Sequence, residues 1–360
     1  MSELAGQRSS PGAPAPRTGE ATGGVAPPSS GATAPAPSGR RDRGRRRLVT
    51  AVLAVALLAA LAAVPLFVDP FGTNTISRIL VFALFATSLD LLVGITGLPS
   101  LGHAAYFGIG AYAAGLVALH WTSEGVVAVL VAAAAGATAA VATGWLAVRS
   151  GGVFFLMLTL AIGELVHQLA QSLSSVTGGS NGLFGIPSVR VAGTPLTLPG
   201  YVYWFVLVVA LLGAAGLWLV ASSPFGAVLR GIRDNEPRMR SLGYSPFRYK
   251  YAAFAIAGAF AGLAGGLFAL VVRIVNPADA GFTTSALFLL AVVLGGAGTL
   301  WGPALGAAVV VLVRDTFGPT LDGHGPLLLG LVFVVAVYVL PRGVAGLGGL
   351  LRGRNREVPS

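Results

Sequence analysis

The sequence predicts an all-α polytopic membrane protein of about ten transmembrane helices, several of them broken. Hydrophobic residues make up 55% of the chain and charged residues only 10%, with a mean hydropathy of +0.80. A soluble fold needs roughly 25% charged residues to cover its surface. Several apolar runs also reach the roughly 20 residues with which a helix crosses a bilayer core. Fifty-one glycines accompany them, and small residues let helix backbones approach closely in lipid. The short alternating segments of a membrane β-barrel are not seen.

Residues 1–39 are rich in Pro, Ala, Gly and Ser without periodicity and are expected to be disordered. Arg40, Arg41, Arg43 and Arg45 to Arg47 then precede an apolar run at 48–68. That run is too long, and the tail before it far too long, for a cleaved signal peptide, so it reads as an uncleaved first helix. Further spans are expected at 76–95, 104–119, 124–148, 151–173, 200–221 and 251–272, with a polar Gly-rich loop at 174–199. The run 284–313 is ambiguous, being either one helix or two split around Gly295 to Pro303. Most arginines fall at 40–47, 230–248 and 342–356, each flanking an apolar run. The positive-inside rule places all three on the cytoplasmic side, which requires two helices there and a last span at 325–340. The chain thus divides into a cytoplasmic tail with a basic cluster (1–47), a membrane domain (48–343) and a basic cytoplasmic tail (344–360). The same rule explains the net charge of +10 without nucleic acid. With no cysteine there is no disulfide, thiolate metal site or cysteine nucleophile.

The longest polar interruption between apolar spans is 222–250. Ser223-Pro224 is a helix start, a hydroxyl N-cap followed by proline at the first helical position. Phe225, Val228, Leu229 and Ile232 then share one apolar face, and Arg230 and Arg233 lie off it. Asp234-Asn235-Glu236-Pro237 breaks this helix and begins a second, which Gly243 can end. A helical hairpin with an apolar face to offer is expected. Two readings stay open: docking into a partner, or lying on anionic lipid. Lys250 is the lone lysine, and its surroundings are no P-loop, so ATP would have to be hydrolysed by another polypeptide.

Ionisable residues inside a span are site candidates. Glu164, His167, Gln168 and Gln171 form one polar stripe, lining a path or interface, or hydrogen-bonding inside the bundle. Glu164 and His167 match half of a carboxylate-bridged metal motif, whose second copy is missing; no metal is expected. Asp90 is too far along its helix from Arg78 for contact, and is expected to hold backbone at the break near Gly94 to Ser100. His103 follows that break and reads as a structural hydrogen-bonder. Pro99 to His103 and Gly298 to Pro303 both break an apolar run around a Ser/Thr-Leu pair and look related, as in transporters with interrupted helices. No enzyme-like grouping emerges. An ion-coupled transporter using Asp90 or Glu164 as proton carrier is the competing class.

The strings GITGLPSLGHAAYFGIGAY (94–112), GVFFLMLTLA (152–161), TGGSNGL (177–183), SPFGAVLRGIRDNEPRMRSLGY (223–244), VLGGAGTLWGPALGA (293–307) and LPRG (340–343) together resemble the M-type permeases of branched-chain amino acid ABC transporters. The resemblance covers nearly the whole chain outside the N-terminal tail. It implies the ABC importer permease fold in a bacterial cytoplasmic membrane, with both termini cytoplasmic. The implied partners are an H-type permease, two ATP-binding subunits that hold ATP and Mg, and an extracytoplasmic binding protein. Pro224, Phe225, Gly226, Leu229, Arg230, Ile232, Arg233, Asp234, Glu236 and Pro237 would form the ATPase-coupling hairpin. Asp90, Ser100, His103, Glu164, His167 and Gln168 are candidates for the translocation path. Thr177, Gly178, Gly179 and Asn181 would lie in the loop where the binding protein docks. Asp90 departs from the family, which has a polar, usually amide, residue there, and urea or other amide permeases share much of the signature.

Overall fold

The structure, a computed structural model, describes residues 58–191, 193–196 and 198–317, with isolated positions on either side. Contacts divide the chain into Met1–Ala56 and Leu57–Ser360, and the helices described here belong to the second unit. In order they are α1 (Leu58–Phe67), α2 (Pro70–Asp90), α3 (His103–His120), α4 (Gly125–Ala147), α5 (Val153–Ser172), the single turn α6 (Ser174–Thr177), α7 (Pro199–Ser222), α8 (Pro224–Asp234), α9 (Glu236–Ser241), α10 (Pro246–Val272), α11 (Phe282–Gly295) and α12 (Trp301–Leu312). Five of the described helices are long and apolar enough to cross a membrane, α2 being counted with its continuation to Thr96.

Local chemistry sets most boundaries. Asp69 accepts from the Gly72 amide and Pro70 opens α2, so this helix begins six residues before the apolar run that the sequence reading took for its start. α2 does not end at Asp90 but widens into a π-helical turn, Leu91–Thr96, closed by Gly97 at φ 75°. Such turns interrupt a helix where neighbours demand it. The run 284–313 is split as the charge rule required: α11 and α12 are separate helices joined through Gly296, Gly298 and Leu300, all at positive φ. The expected span at 325–340 and both tails lie outside the described residues, apart from isolated positions.

The core is a tight packing of α10 against α3 and α4, flanked by α2, which in turn carries α7, α11 and α12. Small residues make the approach possible. Gly110 of α3 and Gly136 of α4 both meet Gly262 of α10 backbone to backbone, and a Cβ on any of the three would overlap a neighbour's backbone atoms. Rings fill the next layer, with Phe82, Phe85, Phe107, Phe268 and Phe288 stacked, tilted or edge-on at centroid distances of 4.5–5.7 Å. By contrast α4, α5 and α7 turn large apolar side chains outward, among them Leu130, Trp145, Phe154, Leu165, Leu212 and Trp218. That is the pattern of helices facing lipid or another subunit.

The two ends of the bundle differ. At one end the α8–α9 hairpin packs on the π turn of α2, and Arg149 stacks its guanidinium over Trp145, 4.2 Å from the ring centroid. At the other, residues 174–199 are less irregular than a loop: β1 (Leu183–Phe184) pairs antiparallel with β4 (Ile274–Val275), and β2 (Arg190–Val191) with β3 (Thr194–Pro195).

Gly262→Val should push α10 off α3 and α4 at a cost of about 1–3 kcal/mol, read as a lowered melting temperature in detergent. Gly151→Ala, at a position with open space around it, should melt like the parent.

Candidate functional site

Asp90 is fully buried. One carboxylate oxygen accepts from the Gly298 amide at 2.7 Å and the other from the Leu300 amide at 3.1 Å. One turn earlier, Thr87 Oγ1 shares its proton between Ala83 O at 2.7 Å and Leu300 O at 3.3 Å. Asp90 therefore does hold backbone at a break, but at the α11–α12 break and not at the break of its own helix. The π turn explains the difference. Thr96 Oγ1 bonds Leu91 O, and the Leu98 amide bonds Leu92 O; that segment satisfies itself and leaves the carboxylate free to reach across. The π turn of α2 and the α11–α12 turn meet here, with Gly94 and Gly298 packed so closely that a side chain on Gly94 would overlap the Gly298 backbone.

The hairpin seats on the same spot. Ser223 Oγ accepts from the Gly226 amide and Asn235 Oδ1 from the Arg238 amide, so each short helix carries its own cap. Arg233 donates to Gly94 O and lays its stem over Gly97, while Arg230 donates to Ala221 O at 2.8 Å. The apolar face is not left on offer. Leu229 and Ile232 are buried against the chain itself, with Gly226 packed on Ala221 O, and Phe225 stacks on Tyr249 of α10 at 5.6 Å. The expectation of a free apolar face is corrected: periodicity marks which side is buried but not by whom. The exposed side holds Pro224, Asp234, Pro237, Arg238, Arg240, Leu242 and Tyr244.

Glu236 ties the hairpin to α10, lying 2.6 Å from Lys250 Nζ and 2.8 Å from Arg240. Burial works against its charge, but the hydrogen bonds and charges of Lys250 and Arg240 outweigh that and hold its carboxyl below its ordinary value of 4.5. The lone lysine thus has a structural place that its sequence context did not reveal.

The second polar group surrounds His103, itself fully buried. Ser88 Oγ donates to Phe85 O at 2.7 Å, so His103 Nε2–H must donate to Ser88 Oγ at 3.0 Å, leaving Nδ1 a bare acceptor. Ser285 Oγ caps the Ala104 amide and Thr159 Oγ1 the Leu101 amide. Ser100 is also fully buried, and its hydroxyl has no partner among the described residues. The structural reading of His103 fits this packing. Thr159 and Ser285 were missed because each looks like an ordinary hydroxyl within an apolar helix.

The stripe on α5 divides in two. His167 bonds Pro277 O through Nδ1 at 2.8 Å and the Gln171 amide through Nε2 at 2.8 Å, so both ring nitrogens are used. Glu164 and Gln168 bond each other at 2.9 Å and stand exposed. Glu164 sits near the middle of a membrane-length helix and Gln168 one turn nearer its C-terminal end, among exposed Leu165 and Leu169. No hydrogen bond among the described residues joins Asp90 or Ser100 to this pair, although the segment after Ser100 packs on α5 through Gly102 and Gly163. At the far end Thr177 is buried, its hydroxyl placed to serve Ala170 O, Leu173 O and the Gly179 amide. Gly178 and Gly179 take positive φ, and Asn181 is exposed. Among the described residues no three His, Asp or Glu side chains gather as metal ligands do.

A carboxylate with a lowered pKa stabilises above its unfolded value and loses that contribution as pH falls through its folded one. The protection of α9 amides, taken relative to their intrinsic exchange rate at each pH, should therefore stay high above pH 4.5 and fall as pH drops below it. In Glu236→Gln the exchange should be faster throughout, without that step.

The chain matches the family model described as branched-chain amino acid transport system / permease component over residues 71–340. It is 31% identical to the high-affinity branched-chain amino acid transport system permease protein LivM of Escherichia coli, across 81% of this chain and 73% of that protein. It is 24% identical to the probable branched-chain amino acid transport permease protein LivH of Methanocaldococcus jannaschii, across 76% of this chain and 91% of that one. A segment covering 31% of this chain and 35% of its relative is 35% identical to the autoinducer 2 import system permease protein LsrC of Salmonella typhi. No solved structure matches the chain significantly. These relatives are permeases and not enzymes. On the matched length and the identity to LivM, the chain belongs to the family of branched-chain amino acid transport system permease components.

Proposed function

We propose that this multi-pass membrane protein is one permease of an ATP-driven importer of branched-chain amino acids. The observation that carries the reading is the α8–α9 hairpin, capped at both helices and seated on the end of α2 where two broken turns meet. A hairpin so placed passes a push from outside the membrane to helices inside it. ATP and Mg belong to two partner ATPase subunits, which engage the exposed polar side of the hairpin. Their closure shifts the bundle between two states, biased by nucleotide. The hairpin end carries Arg149, Arg233, Arg238, Arg240 and Lys250, which by the positive-inside rule makes it cytoplasmic in a bacterial membrane, with both termini on the same side.

The remaining assignments follow from that orientation. Glu164 and Gln168 are too polar to face lipid. We place them against a homologous H-type permease or the water-filled path between the two subunits; the likeness to LivH supports a second permease of the same fold. The loop with Thr177, Gly178, Gly179 and Asn181 faces outward, toward a binding protein. Asp90 has both oxygens engaged with backbone, which speaks against a proton carrier.

Arg233→Glu should leave membrane insertion intact and cut leucine uptake by at least about tenfold, the effect of unseating a charge-assisted contact; uptake at the parental rate would remove the hairpin from the mechanism. Uptake blocked by isoleucine and valine but not by urea is the expected substrate signature. Blockade by urea alone would move the substrate to a small amide. Uptake that survives loss of ATP but collapses with a protonophore would replace the ATP-driven reading altogether.

A further inference from the structure

We propose that Asp90 is a positioning residue that locks the α11–α12 turn to the hairpin-bearing end of α2, so that a push on the hairpin moves α11 and α12 with it. The inference deepens the coupling reading and rests on it for its functional consequence. Its structural content stands without partners.

Leu300 is where the turn is under constraint. It and Arg273 are the non-glycine residues at positive φ among the described residues, Leu300 at 61°. Side chains adopt this region only when their surroundings impose it. The surroundings are specific: the Leu300 amide donates to Asp90 Oδ2, the Gly298 amide to Oδ1, and Thr87 Oγ1 reaches the Leu300 carbonyl. Two amides, two residues apart, both point at one carboxylate, the arrangement of a backbone anion nest. Between the two, Thr299 Oγ1 accepts from the Gly302 amide in the first turn of α12. On the same face of the α2 end, Arg233 donates to Gly94 O, four residues after Asp90, and lies beside Gly298.

Among the described residues no hydrogen bond joins α8 or α9 directly to α11 or α12. The hydrogen-bonded route runs from Arg233 to Gly94, through the end of α2 to Asp90, and on to Gly298 and Leu300, and beside it the Arg233 guanidinium lies directly against Gly298. A carboxylate suits this joint better than an amide, because both of its oxygens accept. Asparagine would keep one acceptor and turn its NH2 toward the second amide.

The chain has no native cysteine, so labels can be placed at will. Spin labels on Ala297→Cys in the turn and Ser241→Cys in α9 report the joint in the full chain in lipid nanodiscs, without partners, ATP or substrate. A second pair, Gly151→Cys with Ser241→Cys, reports whether the hairpin is still seated. The parent should give one narrow distance for each pair. Asp90→Ala should broaden the first pair and leave the second narrow, with Asp90→Asn between. Adding Leu300→Gly to Asp90→Asn should narrow the first pair again, because glycine takes positive φ without strain and one bond then suffices. If Asp90→Ala fails to insert, the Asn variant and its glycine rescue carry the test. A first pair that stays narrow without the carboxylate, or a second pair that broadens with it, overturns the assignment. In the reconstituted importer, Asp90→Ala should lower uptake per ATP hydrolysed by about tenfold, the scale of one lost charge-assisted hydrogen bond. A parental importer that moves substrate without ATP would refute the coupling reading, while the distances would still judge the joint.

Discussion

Breaking a helix inside an apolar bundle frees backbone amides that lipid cannot satisfy. The carboxylate of Asp90 answers that problem for the turn between α11 and α12, taking one amide on each oxygen. Without it, Leu300 would have little to hold it in a left-handed conformation and α12 no fixed point from which to start. The hairpin, the π turn of α2 and the α11–α12 turn all converge within a few residues of this group. A buried carboxylate is expensive, and here both of its oxygens are taken up by backbone amides.

The second constraint is the closeness of α3, α4 and α10. Glycine against glycine brings their backbones together, which gives the bundle a rigid core. α5 and α7 are bound more loosely and show wide apolar faces, broken on α5 by Glu164 and Gln168. The molecule thus joins a packed centre to a flank that faces lipid or another subunit. That flank is where a second permease would add to the structure, and the hairpin end is where a motor would act on it.

Much of the fold was legible because hydropathy and turn chemistry agree. Ser-Pro at 223–224 and 245–246 opens helices where the rule says it should, and the charge rule correctly divided 284–313. Less of the site could be read. Apolar periodicity on α8 identified the buried side, but only coordinates show that Leu229 and Ile232 bury it within the same chain. Asp90 stood out as an ionisable residue in a span, yet its partners are backbone amides more than two hundred positions away, which no residue type encodes. The pairing of Glu236 with Lys250 spans a turn whose geometry the sequence does not specify. His103 was readable as structural, but Ser88, Thr159 and Ser285 were not, since a hydroxyl in a membrane helix usually bonds its own preceding turn.

The central claim is that hairpin and α11–α12 turn travel together. It is tested most directly by measuring the distance between them in the complete importer, with and without bound nucleotide, beside the distance from the hairpin to the outer end of α5. The account predicts an unchanged first distance while the second shifts with nucleotide. A first distance that changes between the two states would show the hairpin sliding over the turn, and would contradict it.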